Sequence, residues 1–219
     1  MTTIDDVTAR VAAAHRRLDS LERLLDDLEG VKHVKQHLQR ERLTSSALKT
    51  APSDYYSWTL SQRAKFLGCG ISHLCKSIVV ENVACVNKGI EDPLNSRYYC
   101  VVLQYISKLD AEQLRRFVRD DIPEADRPSR KKFNFQHAPA QVSEQLTGFK
   151  HNGVSTFGMQ TSIPVIVAGE VAALKPAFLW LGGGAETVKL RVSVQDLITT
   201  LGARVADGIT TQRTDLDKA

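Results

Sequence analysis

The sequence predicts an α+β domain built on a mixed β-sheet and preceded by a coiled-coil-like helical segment. Three observations carry this. Runs rich in β-branched residues recur at 77–83, 98–105, 164–168, 177–181 and 188–192. Helical patterns fall between them at 111–118, 138–146 and 194–201, with gaps of both hairpin and crossover length. The first 45 residues show a heptad period instead.

In that first segment Ile4, Val7, Val11, Ala14, Leu18, Leu21, Leu25 and Leu28 are spaced alternately three and four apart, an a/d seam of four heptads. Arg17 and Glu22 fall at g and e positions, where they can pair across a parallel dimer. Gly30 interrupts the pattern, and Val31, Val34, Leu38 and Leu43 resume it among Lys32, Lys35, Arg40 and Arg42. Such a seam needs cover. The cover is the same chain folded back, a second copy, another protein, or the chain's own core.

Residues 46–58 break the period with Pro52 and Ser53 and read as a linker. Thr59 is placed to cap a helix over 60–70 that ends near Gly68 and Gly70. Ser193 stands ready to cap 194–201 in the same way. The globular domain is thus expected over 59–207, followed by a loose polar tail at 208–219.

The chain has 219 residues and a net charge of +4. The first 45 residues hold 8 basic and 8 acidic side chains, so the excess lies wholly in the globular part. That bias favours anionic partners without proving nucleic-acid binding. Arg127, Arg130, Lys131 and Lys132 form a cluster that either faces phosphates or is a solvated loop. Cys69, Cys75, Cys85 and Cys100 form no CxxC pair and no zinc spacing, and no cofactor is expected. No signal-like segment opens the chain, and no apolar run approaches the roughly 20 residues that span a bilayer. A reducing, cytoplasmic setting without membrane attachment is the expectation.

Chemistry concentrates at three places. Lys76 opens an apolar strand, where an ammonium either snorkels out at an edge or meets an anion. The stretch 147–158 holds Gly148, Gly153 and Gly158 with Lys150, His151, Asn152, Val154 and Ser155. Its glycines suit a turn whose backbone N–H groups grip an oxygen. His151 is either a proton-transfer group or a surface residue. Gly182, Gly183 and Gly184 either admit a ribose-phosphate backbone or simply turn a hairpin. No GxSxG elbow, phosphate-binding Walker loop or HExxH pair is present.

At these residues the chain resembles the YbaK/prolyl-tRNA-synthetase-associated family of aminoacyl-tRNA deacylases. Three blocks match in order: 63–80 with LCKSIVV around Lys76, 147–159 with TGFKHNGVSTFGM followed by IPVIV, and 178–197 with FLWLGGGAETVKLRVSVQDL. The resemblance covers roughly residues 50–205. It implies a barrel-like mixed sheet wrapped by helices and hydrolysis of the ester of a mischarged tRNA without metal. It also implies that Lys76 contacts the substrate near the terminal adenosine, and that Gly148, Gly153, Gly158 and Gly182–Gly184 are the family's loop and pocket glycines. Many members read Gly-Gly-Val-Ser-Pro where this chain has Asn152-Gly153-Val154-Ser155-Thr156, and Lys150 and His151 occupy positions that are usually apolar there.

The function so implied is editing in trans. A synthetase pocket separates amino acids one methylene apart by only about 10–200-fold, so a hydrolytic check is needed. The expected partners are the aminoacylated 3′ acceptor end of tRNA and, through residues 1–45, an aminoacyl-tRNA synthetase, a multi-synthetase complex or a second copy. The rival expectations are a weakly catalytic or non-catalytic interaction protein docked through the N-terminal segment, and a plain tRNA-binding module.

Overall fold

The computed structural model describes residues 4–214. One helix, α1 (Ile4–Arg40), carries the heptad pattern of the N-terminal segment. It runs straight through Gly30, because that glycine lies against the body of the protein rather than at a break. Only its C-terminal third is docked, with Gly30, Val34 and Leu38 buried.

After α1 come β1 (Ala47–Thr50), α2 (Leu60–Leu67), β2 (Cys75–Asn82), β3 (Tyr98–Gln104), β4 (Ser107–Leu109) and α3 (Ala111–Asp120). They are followed by β5 (Phe135–His137), α4 (Ala140–Thr147), β6 (Val165–Ala168), α5 (Gly169–Ala172), β7 (Phe178–Gly182) and β8 (Val188–Ser193). The described chain closes with α6 (Val194–Leu201), β9 (Arg204–Ala206) and β10 (Thr210–Gln212). The predicted caps form. Thr59 and Gln62 make a reciprocal capping box on α2, and the Ser193 hydroxyl accepts from the Asp196 amide at the start of α6.

The protein is α+β with mixed sheets. A five-stranded sheet in the order β5-β2-β3-β6-β9 is antiparallel on one side of β3 and parallel on the other. A three-stranded antiparallel sheet, β1-β8-β7, packs beside it. The two are joined by a single bridge from Leu74 to Trp180, so they approach a barrel without closing one. The side chains of Val101, Leu103, Ile166, Leu179 and Leu190, fully buried or nearly so, form the core between the sheets and helices.

Two expectations about connecting segments are corrected. Residues 46–58 are not a free linker: β1 pairs with β8, and Tyr55 sinks into a second cluster with Leu67, Leu74 and Trp180. Pro52 ends the strand, but the aromatic side chains after it have more apolar surface than a solvated linker can expose. The tail is not loose throughout either. Thr210–Gln212 pairs with β4, satisfying backbone groups that a three-residue strand cannot satisfy alone; residues 215–219 lie outside the described residues. Among the described residues, no helix is long and apolar enough to cross a membrane.

Candidate active site

Strand β2 is interior, yet its first half is open on one side. Strand β5 pairs only with Val80, Glu81 and Asn82. The uncovered stretch from Lys76 to Ile78, with Val79 beside it, lines a cavity of about 350 Å³. His151, Asn152 and Val154 of the 147–158 loop line the same cavity, with Gly182 at the end of β7. Tyr56, Tyr105 and His137 complete the rim. The strand lysine and the glycine-rich turn, far apart in sequence, thus face one hollow.

Lys76 is half-buried, with its ammonium 5.8 Å from the centre of the Tyr105 ring. Beside it Ser77 is 9% exposed, and its fully buried hydroxyl has no hydrogen-bond partner among the described residues.

The loop wall is held by a polar chain beneath it. The Lys189 ammonium donates to the Tyr56 hydroxyl (2.9 Å) and to the Glu186 carbonyl (2.8 Å). The Tyr56 hydroxyl donates to the Asn152 carbonyl (2.9 Å), and the Asn152 side-chain amide donates to the Glu186 carboxylate (2.8 Å). Lys189 is only 4% exposed, and burial, reinforced by the Arg63 charge, pushes its ammonium down to about 8. Burial beside Tyr105 pushes the Tyr56 hydroxyl well above its ordinary value, so it remains a donor.

Asn152 sits at φ +63, in the left-handed region. Apart from glycine, Asn tolerates that region best, which accounts for its standing where the resemblance has glycine. Gly182 answers to a different constraint. A Cβ there would lie 2.9 Å from the Val154 carbonyl carbon, so any side chain would push the loop away from β7.

Other sequence candidates lie elsewhere. Gly148 caps α4 in the left-handed conformation and, with Lys150, borders a separate cleft of about 530 Å³ beside α1. Lys150 is engaged in ion pairs with Glu144 and Asp26 and turns away from the cavity. The Ser155 hydroxyl is fully buried and accepts the Phe157 amide. The Gly153 amide is spent on the Lys150 carbonyl, and its carbonyl accepts the Gly184 amide (3.0 Å). Gly183 closes the hairpin onto Val188, and Gly184 packs on Gly30. Gly153, Ser155, Gly183 and Gly184 therefore shape the wall from behind, while Asn152, Val154 and Gly182 border the hollow. Arg127 caps α3 by donating to the carbonyls of Asp120 and Ile122, and Arg130 pairs with Glu112 while remaining exposed, as Lys131 and Lys132 are.

Tyr56, Tyr105, His137 and Lys189 were not singled out in the sequence. The paired tyrosines before Trp58 were the available signal, since a solvated linker has no use for three such rings. Burial pushes the Cys75 thiol up strongly and the Cys100 thiol to about 12, so neither is an activated nucleophile. Among the described residues no three His, Cys, Asp or Glu side chains converge as a metal site.

No protein-family model and no curated protein matches the chain. Solved structures do. A candidate trans-editing enzyme for prolyl-tRNA synthetase aligns at 19% identity and a TM-score of 0.63, covering 81% of this chain and 95% of that one. A hypothetical protein aligns at 22% identity and a TM-score of 0.60, covering 82% and 99%. A structure from work on computational epitope backbone grafting onto scaffold proteins aligns at 18% identity and a TM-score of 0.62, covering 81% and 95%. These likenesses show a shared fold.

Proposed function

We propose that this chain is an aminoacyl-tRNA deacylase that hydrolyses the ester of a mischarged tRNA in trans. The observation that carries the proposal is the convergence of Lys76 with His151, Asn152, Val154 and Gly182 on one cavity. The resemblance to YbaK-like deacylases and the fold shared with a candidate trans-editing enzyme support it.

The 3′-terminal nucleotide enters beside β2, where the Lys76 ammonium offsets its phosphate charge. The aminoacyl group lies against the 151–154 wall. Water attacks the ester carbonyl carbon, forming a tetrahedral oxyanion. The backbone amides of Asn152 and Val154 stabilise that charge, an effect worth about 2.7–4 kcal/mol per well-placed donor. His151 takes the proton from water and returns it to the departing ribose oxygen. The C–O ester bond breaks, leaving free amino acid and tRNA with its terminal hydroxyl.

The test is deacylation of tRNAs mischarged with alanine, cysteine or serine. Lys76→Ala is expected to lower the rate at least about tenfold, a loss of about 1.4 kcal/mol of transition-state stabilisation, while the fold is kept. Lys76→Arg retains part of the rate. Equal rates for Lys76→Ala and the parent would remove Lys76 from the mechanism, and absence of turnover on all three substrates by the parent would overturn the proposal.

A further inference from the structure

The seam of α1 is left bare by the rest of the chain. Its large apolar members are between 49% and 85% exposed, from Val7 and Val11 at the low end to Ile4 at the high end. A single helix projecting into water with such a stripe is marginal, and most helical stability comes from packing an apolar face.

The domain does not compete for that face. With Ile4 at position a, the docked residues Gly30 and His37 fall at f, and Asp26 and Val34 fall at b and c. These four positions lie on the side of the helix opposite a and d, while buried Leu38, at g, lies ten residues beyond Leu28, the last member of the seam. The apolar pattern that resumes after Gly30 packs on the chain's own body, whereas the seam before it points away. Lys32 and Lys35 then occupy the next a and d positions, which ends the seam where the domain begins.

The flanking charges select the occupant. Arg10 and Arg17 stand at g, and Glu22 and Glu29 stand at e. In a parallel pair g faces e′, so Arg17 of each copy meets Glu22 of the other. In an antiparallel pair g faces g′ and e faces e′, which sets like charge against like.

We infer that two copies of this chain join through a parallel coiled coil of residues 4–28. The two globular domains then sit at the same end of the coil, each docked on the outer face of its own helix.

Sedimentation velocity of the full chain tests this, and a concentration-dependent dimer is expected. Leu18→Glu combined with Leu25→Glu touches only exposed side chains and is expected to leave a monomer whose core still unfolds cooperatively. Arg17→Glu is expected to weaken the dimer about tenfold, and Arg17→Glu with Glu22→Arg to restore it. Val11→Cys is expected to give a covalent dimer under mild oxidation that the parent, oxidised alike, does not form, because parallel packing sets position 11 against itself. A parent that stays monomeric at every concentration, including one that binds a different protein through α1, overturns the inference. So does a dimer that survives the double Glu change, or one whose Val11→Cys form does not cross-link.

Discussion

Gly30 on α1 and Gly184 after β7 meet backbone to backbone. A Cβ on Gly184 would lie 2.5 Å from the Gly30 carbonyl carbon and oxygen, and a Cβ on Gly30 would sit closer still to the Gly184 carbonyl oxygen. The Gly184 amide in turn donates to the Gly153 carbonyl in the cavity wall (3.0 Å). The long helix therefore braces the site from behind.

Gly30→Ala tests the brace. By helix propensity alone, Ala should stabilise by about 0.5–1 kcal/mol. Collision with the hairpin should cost about 1–3 kcal/mol, so the net effect is destabilising. Urea unfolding measures the sign. A variant more stable than the parent would mean that the helix does not press on the hairpin.

Asn152 separates backbone need from side-chain need. Asn152→Gly keeps the left-handed turn and should cost less than about 1 kcal/mol. Asn152→Val forces a β-branched residue into that region and should cost about 2 kcal/mol, with a larger loss of deacylation. Indistinguishable stability for the two variants would argue against strain at this position.

Lys189 predicts a pH dependence. Its folded value of about 8 lies below the ordinary 10.5, so the unfolded chain binds the proton more tightly between them. The Lys189 contribution must then rise as pH climbs above about 8, while the buried Cys75 and Cys100 thiols, which burial holds protonated in the folded chain, oppose it from about 9 upward. The stability difference between the parent and Lys189→Met should therefore grow in the parent's favour by about 2 kcal/mol between pH 8 and 10. Parallel pH profiles for the two proteins would contradict the assignment.

His37 links α1 to the site loop, its Nδ1 accepting the Gly158 amide (2.9 Å). Burial, aided by Arg40, holds its pKa below 6.5. The unfolded chain therefore takes up the proton first, so this contribution is complete above pH 6.5 and declines as acidity increases. Exchange of the Gly158 amide, corrected for intrinsic rates, should accelerate below that pH in the parent and less in His37→Asn, which keeps an acceptor that does not titrate. Identical profiles would detach His37 from the loop.

The sequence by itself determined the local elements. β-branched runs marked β2, β3, β6, β7 and β8 to within a few residues, because such side chains favour a pleated, half-buried surface. Thr59 and Ser193 announced their helices through the amide each side chain can satisfy. Lys76 and the glycine-rich turn were visible as unusual residues in their segments. Only the tertiary structure decided which of them share a cavity, because short β5 leaves one stretch of β2 uncovered and no local pattern encodes where a neighbouring strand stops. It also turned Lys150 outward to Asp26 and Glu144 and drew Tyr56 and Lys189 in, since long-range ion pairs and aromatic burial depend on what packs above a residue and not on what precedes it. The heptad seam was legible from spacing. That the domain clamps the opposite face of the same helix, at Gly30 and Val34, was set by close packing between segments some 150 residues apart.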